Sequence, residues 1–122
     1  ELTDVDHINT HGTSTSVGDI SETKAVVSLF GDHAYKIALN STKSMIGHLL
    51  GAAGSVESIV TVLSIINGVV PPTINHFTDD PEILPLDFTF NNAQKRNIDF
   101  ALCNAFGFGG HNVTLAFRKY NG

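Results

Sequence analysis

The sequence predicts an α/β domain built on a mixed, partly parallel sheet. Strand-like and helix-like segments alternate through the first part of the chain. That alternation puts crossover helices between parallel strands. The chain closes with two apolar alternating segments around Phe106-Gly107-Phe108-Gly109-Gly110, the pattern of an antiparallel hairpin. The resulting order is β-α-β-α-loop-β-β.

Residues 5–9 read as a short buried strand. Asp19-Ile20-Ser21-Glu22 reads as a capping box, with Asp19 as the cap and Glu22 three residues on. Ile20, Val26, Val27 and Phe30 follow at helical spacing, and Gly31 supplies a stop. Residues 37–40 form a second strand, and 41–50 a loop. Residues 52–67 make a helix apolar almost all round, which predicts burial. Gly68 ends it, and Pro71-Pro72 prevents its continuation. Residues 73–95 are a polar surface excursion with a turn at Asp79-Asp80-Pro81 and one short strand at 87–90. Residues 99–104 and 113–119 are the closing strands.

The 122 residues suffice for one domain with one core, assigned to 1–122. Hydrophobic residues make up 42% and charged ones 16%, so the interior is unusually uncharged. A net charge of −5 without a basic stripe argues against nucleic-acid binding. The lone cysteine, Cys103, excludes an internal disulfide and suits a reducing, cytoplasmic compartment. The most apolar stretch, 58–70, is interrupted by Ser, Thr, Asn and Gly; it reads as too short and too polar to span a bilayer. The chain has no initiator Met and enters a strand almost at once, which is the expectation for part of a longer protein.

Chemistry concentrates in four segments rich in small polar residues. They are His11-Gly12-Thr13-Ser14-Thr15, Ser41-Thr42-Lys43-Ser44, Gly47-His48-Leu49-Leu50-Gly51-Ala52-Ala53-Gly54, and the Phe106 to Gly110 turn. Ligands of α/β sheets gather beyond the carboxyl ends of strands, where these segments fall. Small residues around His48 let a ligand approach, and a helix N-terminus there favours a neutral imidazole that donates to a carbonyl. A lone histidine such as His11 is more often a satisfied core group, but the hydroxyls after it favour a polar pocket. Glu57 is the only charged residue between Lys43 and Asp79, so a buried Glu57 calls for Lys43 as partner. That pair either ties loop to helix or also fixes His48; both readings stay open. Phe106 and Phe108 are either core aromatics or part of a turn whose glycines aim N–H groups at an anion. Other signals are weak. His7 and His11 are four apart but lie on a strand, no Walker pattern exists, and Gly47, Gly51 and Gly54 do not make a dinucleotide fingerprint. Cys103 reads as an inert buried thiol. No metal and no cofactor is expected.

Taken together and in this order, the four segments closely resemble the C-terminal half of β-ketoacyl-acyl-carrier-protein synthases, condensing enzymes of the thiolase-like superfamily, of the elongating type with two active-site histidines. The resemblance runs from Val5 to Lys119. It implies the C-terminal half of a thiolase-like layered fold, a mixed sheet with helices that lacks its first strand and helix. It implies decarboxylative condensation of a malonyl group with an enzyme-bound acyl thioester in fatty-acid synthesis. By resemblance His11 and His48 stabilise the enolate oxygen, and Lys43 with Glu57 orders the histidine network. Phe108 is the gating residue of the acyl oxyanion hole. Thr13 and Thr15, with Phe106, Gly107 and Gly109, belong to substrate binding. The implied partner is acyl carrier protein bearing phosphopantetheine-linked acyl and malonyl groups, and the implied assembly is a cytoplasmic homodimer away from membranes. Ser16 stands where proline is common, and His111 where a small hydroxyl residue is common. The family nucleophile is a cysteine of the N-terminal half, which Cys103 does not match. The chain alone is therefore expected not to condense, and, with uncovered sheet edges and an apolar patch, to self-associate, swap elements or occur only with its missing half. The alternatives are a silent ketosynthase-like partner subunit and a polyketide-synthase ketosynthase domain.

Overall fold

The computed structural model describes residues 1–120; the last two residues of the 1–122 domain lie outside them. A four-stranded sheet runs in the order β2-β1-β5-β6, where β1 is His7–Asn9, β2 Ala38–Asn40, β5 Phe100–Gly107 and β6 His111–Arg118. β1 pairs in parallel with both β2 and β5, and β5 pairs antiparallel with β6. This is the mixed, partly parallel sheet read from the alternation, and the glycine turn closes the hairpin with Gly107 opposite His111.

Helices cover both faces. Side chains alternate along a strand, so Ile8 and Leu39 point to one face and Asn9 and Ala38 to the other. On the first face α1 (Gly18–Phe30) contributes Val26 and Phe30 to a core with Val5, Ile8, Ile37 and Leu39. On the second, Ile65 of α3 (Ala53–Asn67) packs with Ala38, Val70, Ile98 and Ala101. Gly68 ends α3 in the left-handed conformation (φ 61°, ψ 41°), with its N–H returned to the Ser64 carbonyl.

Several sequence expectations change. Asp19 is not a helix cap: α1 starts one residue earlier, and Asp19 Oδ1 instead accepts from the Ser14 N–H. The 41–50 loop contains α2 (Lys43–Ile46), a single turn too short for periodicity to reveal. Part of the 73–95 excursion is ordered as β4 (Gln94–Lys95), antiparallel to β3 (Val69–Val70); only isolated bridges form at Asp87 and Phe90. A 3₁₀ turn, Leu50–Ala52, runs into α3, giving a helical stretch Leu50–Asn67 long and apolar enough to cross a membrane by length and composition. The interruptions counted against such a span do not shorten the helix.

The burial predicted for α3 holds on one side only. That side carries Ala53 and Ile65 with the polar Glu57, Thr61 and Ser64, while Ile59, Leu63 and Ile66 are exposed. A helix apolar all round carries no periodicity to mark the face that meets the sheet. β6 is exposed along nearly its whole length, as an edge strand.

Candidate active site

His11 and His48 come from different connections and meet edge to face, with ring centroids 5.5 Å apart. His11 follows β1 immediately. Its backbone is held by a carboxylate that the sequence reading assigned to a cap: Glu22, buried on α1, accepts from the N–H groups of His11 (2.9 Å) and Gly12 (3.0 Å). Asn104 of β5 donates to the same carboxylate (3.0 Å) and accepts from Thr114 of β6 (2.8 Å). Gly12 must be glycine. Its φ is +37°, and a Cβ would stand 2.6 Å from Thr10 Oγ1 and 2.7 Å from Ser41 Cβ. The Ser41 hydroxyl donates to the Gly12 carbonyl (2.6 Å) and locks the turn.

Burial pushes the His11 pKa below its ordinary value; the nearby Lys43 and His48 charges add to the drop, and Glu22 opposes it. His11 Nδ1 is buried without a protein partner. His48 stands before the 3₁₀ turn rather than in the first turn of α3, so the helix terminus does not orient it. The Leu50 N–H does, donating to His48 Nδ1 at 3.0 Å. An Nδ1 that accepts leaves the ring proton of a neutral imidazole on Nε2, the nitrogen free to donate to a ligand.

Lys43 and Glu57 close a buried ion pair at 2.5 Å, with Glu57 only 1% exposed. Lys43 opens α2 and Glu57 lies one turn into α3, so the pair spans the segment that carries His48.

Phe108 departs from its expected place. It is 95% exposed at the hairpin tip, and Phe106 is the aromatic packed on His11, at 5.4 Å between centroids. Phe106 lies within β5, which ends beside His11, whereas Phe108 lies in the turn beyond the paired strands. Gly107 ends β5, and Gly109 sits in the turn with positive φ beside the His111 ring, itself exposed. Thr13 and Thr15 face each other through their hydroxyls (3.4 Å). They border a broad open cavity of about 1210 Å³, between the Gly12–Thr15 segment and the excursion carrying His76 and Phe90. Lys43 also borders it, but the two imidazoles do not, so the histidines and the threonines address different sides of the Gly12 turn.

Cys103 is buried in β5, and burial raises its thiol pKa, which suits a structural thiol. Among the described residues no group of three His, Cys, Asp or Glu is placed to hold a metal. Glu22 and Asn104 are the residues the sequence reading missed. The signal was present: a glutamate in line with Val26 and Phe30, four and eight residues on along one helix face, and an asparagine within a strand.

With this geometry in place, comparison with known proteins is specific. Residues 1–77 match the family described as the C-terminal domain of beta-ketoacyl synthase. The chain is 53% identical over 116 residues to 3-oxoacyl-[acyl-carrier-protein] synthase 2 of Synechocystis sp., covering 95% of this chain and 28% of that protein. It is 52% identical over 119 residues to the enzyme of that name from Vibrio harveyi, covering 96% and 28%. A type II PKS ketosynthase, solved in complex with its acyl-carrier protein and bound to the hexaketide, superposes with a TM-score of 0.95 at 37% identity, covering 99% of this chain and 29% of that one. The chain thus spans under a third of the length of these relatives.

Proposed function

The chain belongs to the beta-ketoacyl synthase family, and from that premise we propose that it is the enolate-stabilising C-terminal part of a 3-oxoacyl-[acyl-carrier-protein] synthase of fatty-acid elongation. The observation that carries this is the facing pair of imidazoles, with His48 Nε2 left as the donor by the Leu50 N–H.

The reaction joins a malonyl carrier thioester to an acyl group held as a cysteine thioester. When malonyl loses carbon dioxide, the electron pair of the broken C–C bond moves into an enolate. Negative charge then develops on the thioester oxygen. His48 Nε2–H and His11 are the groups to meet it, in a site prearranged before the charge appears. The enolate carbon attacks the acyl carbonyl, forms the new C–C bond and expels the cysteine as thiolate. Lys43 and Glu57 hold the segment on which His48 stands. Thr13 and Thr15, on the turn that follows His11, are proposed to contact the phosphopantetheine arm of acyl carrier protein. Phe106, Gly107, Phe108 and Gly109 form the acyl side, Phe108 acting as a gate once covered.

No metal or cofactor takes part. The acyl cysteine comes from a region outside this sequence, because Cys103 is buried in β5. The working protein is proposed as a cytoplasmic homodimer away from membranes; the free buried thiol supports the reducing compartment. Elongation of fatty acids is favoured over polyketide extension because identity is 53% to the synthase and 37% to the PKS ketosynthase.

The test is condensation by the full-length protein that carries this chain, given acyl-carrier thioester and malonyl-carrier protein. β-Ketoacyl product is expected, and His11→Ala or His48→Ala should each lower kcat by about 10²–10³. The chain by itself should form none. Full activity in both variants, or turnover by the chain alone, would overturn the reading.

A further inference from the structure

Behind the Lys43–Glu57 pair lies a run of uncharged polar side chains that the proposed chemistry does not use. Asn9 of β1 is fully buried; its amide donates to the Glu57 carbonyl and to Thr61 Oγ1, each at 3.2 Å. Its Oδ1 accepts from the Thr42 hydroxyl (3.2 Å), which accepts from Asn40 Nδ2 (3.4 Å). The Thr61 hydroxyl donates onward to the Glu57 carbonyl (2.8 Å).

Asparagine is disfavoured in strands, and burying its amide is costly unless it is bonded. Here the bonds run one way. Thr42 and Thr61 each donate once and accept at least once, and the direction ends on a carbonyl that can only accept. Turning the Asn9 amide over would set Oδ1 against the Glu57 carbonyl, acceptor against acceptor. The amide therefore has one orientation.

We infer that Asn9 and Thr42 are positioning residues of the condensation proposed above. Thr42 adjoins Lys43, Lys43 pairs with Glu57, and Asn9 grips both Thr42 and the Glu57 backbone. The links close into a ring that holds the Lys43 turn and α3 at one spacing. Asn9 also stands two residues before His11, so one side chain registers the strand leading to the first histidine and the pair spanning the second. This deepens, and rests on, the condensation reading.

The test uses the full-length protein with Thr42→Val, close in shape but without the hydroxyl, alongside Asn9→Ala and Thr42→Ser. Limited reductive methylation, read by mass spectrometry, reports how tightly Lys43 is held. In Thr42→Val and Asn9→Ala, methylation of Lys43 should rise about threefold or more while Lys24 and Lys95 keep the parent rate. Malonyl decarboxylation should fall about tenfold, while acyl transfer to the cysteine stays within about twofold. Thr42→Ser should restore parent values. A purely structural role would lower both partial reactions together through the folded fraction; that result, or unchanged Lys43 methylation in folded Thr42→Val, overturns the inference. If Asn9→Ala does not fold, Thr42→Val decides. A parent protein that does not decarboxylate malonyl overturns the condensation reading, and the Lys43 methylation then decides the positioning on its own.

Discussion

Glu22 and Glu57 are both buried carboxylates, on helices packed against opposite faces of one sheet, and the protein accommodates them differently. Glu22 is met by three N–H donors and no cation: two from the main chain and one from Asn104. Glu57 is met by an ammonium group at 2.5 Å, and its second oxygen has no protein partner. The consequences differ accordingly. A carboxylate caught by backbone amides fixes main chain, here the turn that presents His11. A carboxylate caught by a lysine fixes a side chain and the segment carrying it, here the one with His48. The two histidines are thus held by two different carboxylates, whose losses carry different signatures.

Breaking the ion pair should have the largest effect. Glu57→Ala leaves the Lys43 ammonium buried alone, a cost of about 3–5 kcal/mol in urea unfolding. Replacing both partners by apolar residues, Lys43→Met with Glu57→Leu, should recover most of that stability and none of the activity. A cost under about 1 kcal/mol for Glu57→Ala would mean that water reaches the pair.

Acid unfolding adds a third buried ionisable group to the comparison, one that neither carboxylate touches. His7, on β1, is fully buried, with Nδ1 against the Ala38 carbonyl and Nε2 unpartnered. Burial lowers its pKa from 6.5 to about 4. Below 6.5 the unfolded chain takes up a proton that the folded one refuses. Stability therefore falls as pH drops from 6.5 towards 4, by about 3 kcal/mol in all at 1.36 kcal/mol per pH unit. His7→Gln should flatten the unfolding profile across that window. An unchanged slope would show that His7 does not govern acid unfolding.

Glu22→Gln should cost less, about 2 kcal/mol, since the shape is kept and charge-assisted bonds are weakened. Its signature is local: faster hydrogen exchange at the Gly12 amide and a loss of kcat at unchanged Lys43 methylation. Exchange at parent rates would separate Glu22 from the His11 turn. The smallest effect belongs to Cys103, which neither device uses. Cys103→Ala should cost about 1 kcal/mol and leave condensation intact, and iodoacetamide should label the native thiol far more slowly than the unfolded one. Rapid native labelling would show that β5 opens.

Much of this was legible in the residues because local chemistry had few outlets. Glu57, alone among apolar neighbours, had Lys43 as its nearest cation, and the pair forms. The hairpin around Gly107, Gly109 and Gly110 follows from positions that need glycine or flank a turn. The meeting of His11 and His48 follows from strand ends sharing one edge of a parallel sheet. What stayed hidden depended on distance in the chain. Nothing near Glu22 marks it as the partner of the His11 amide rather than of its own helix; only the packing of α1 on β1 decides. Asn9 carries no mark beyond its place in the 5–9 strand; its role depends on Thr42, which precedes α2, and on Glu57 and Thr61 of α3.

Local pattern, with its short-range outlets, determined the order of the four sheet strands and the two long helices, the mixed sheet, and the Lys43–Glu57 pairing. Tertiary structure alone decided which side of α3 is buried, which phenylalanine touches His11, and which nitrogen of His48 is left to donate. The reason is physical. Periodicity and turn chemistry act over a few residues and are written in the neighbours. A face, a contact or a tautomer is chosen by whatever the fold brings against it, and those partners lie many residues away.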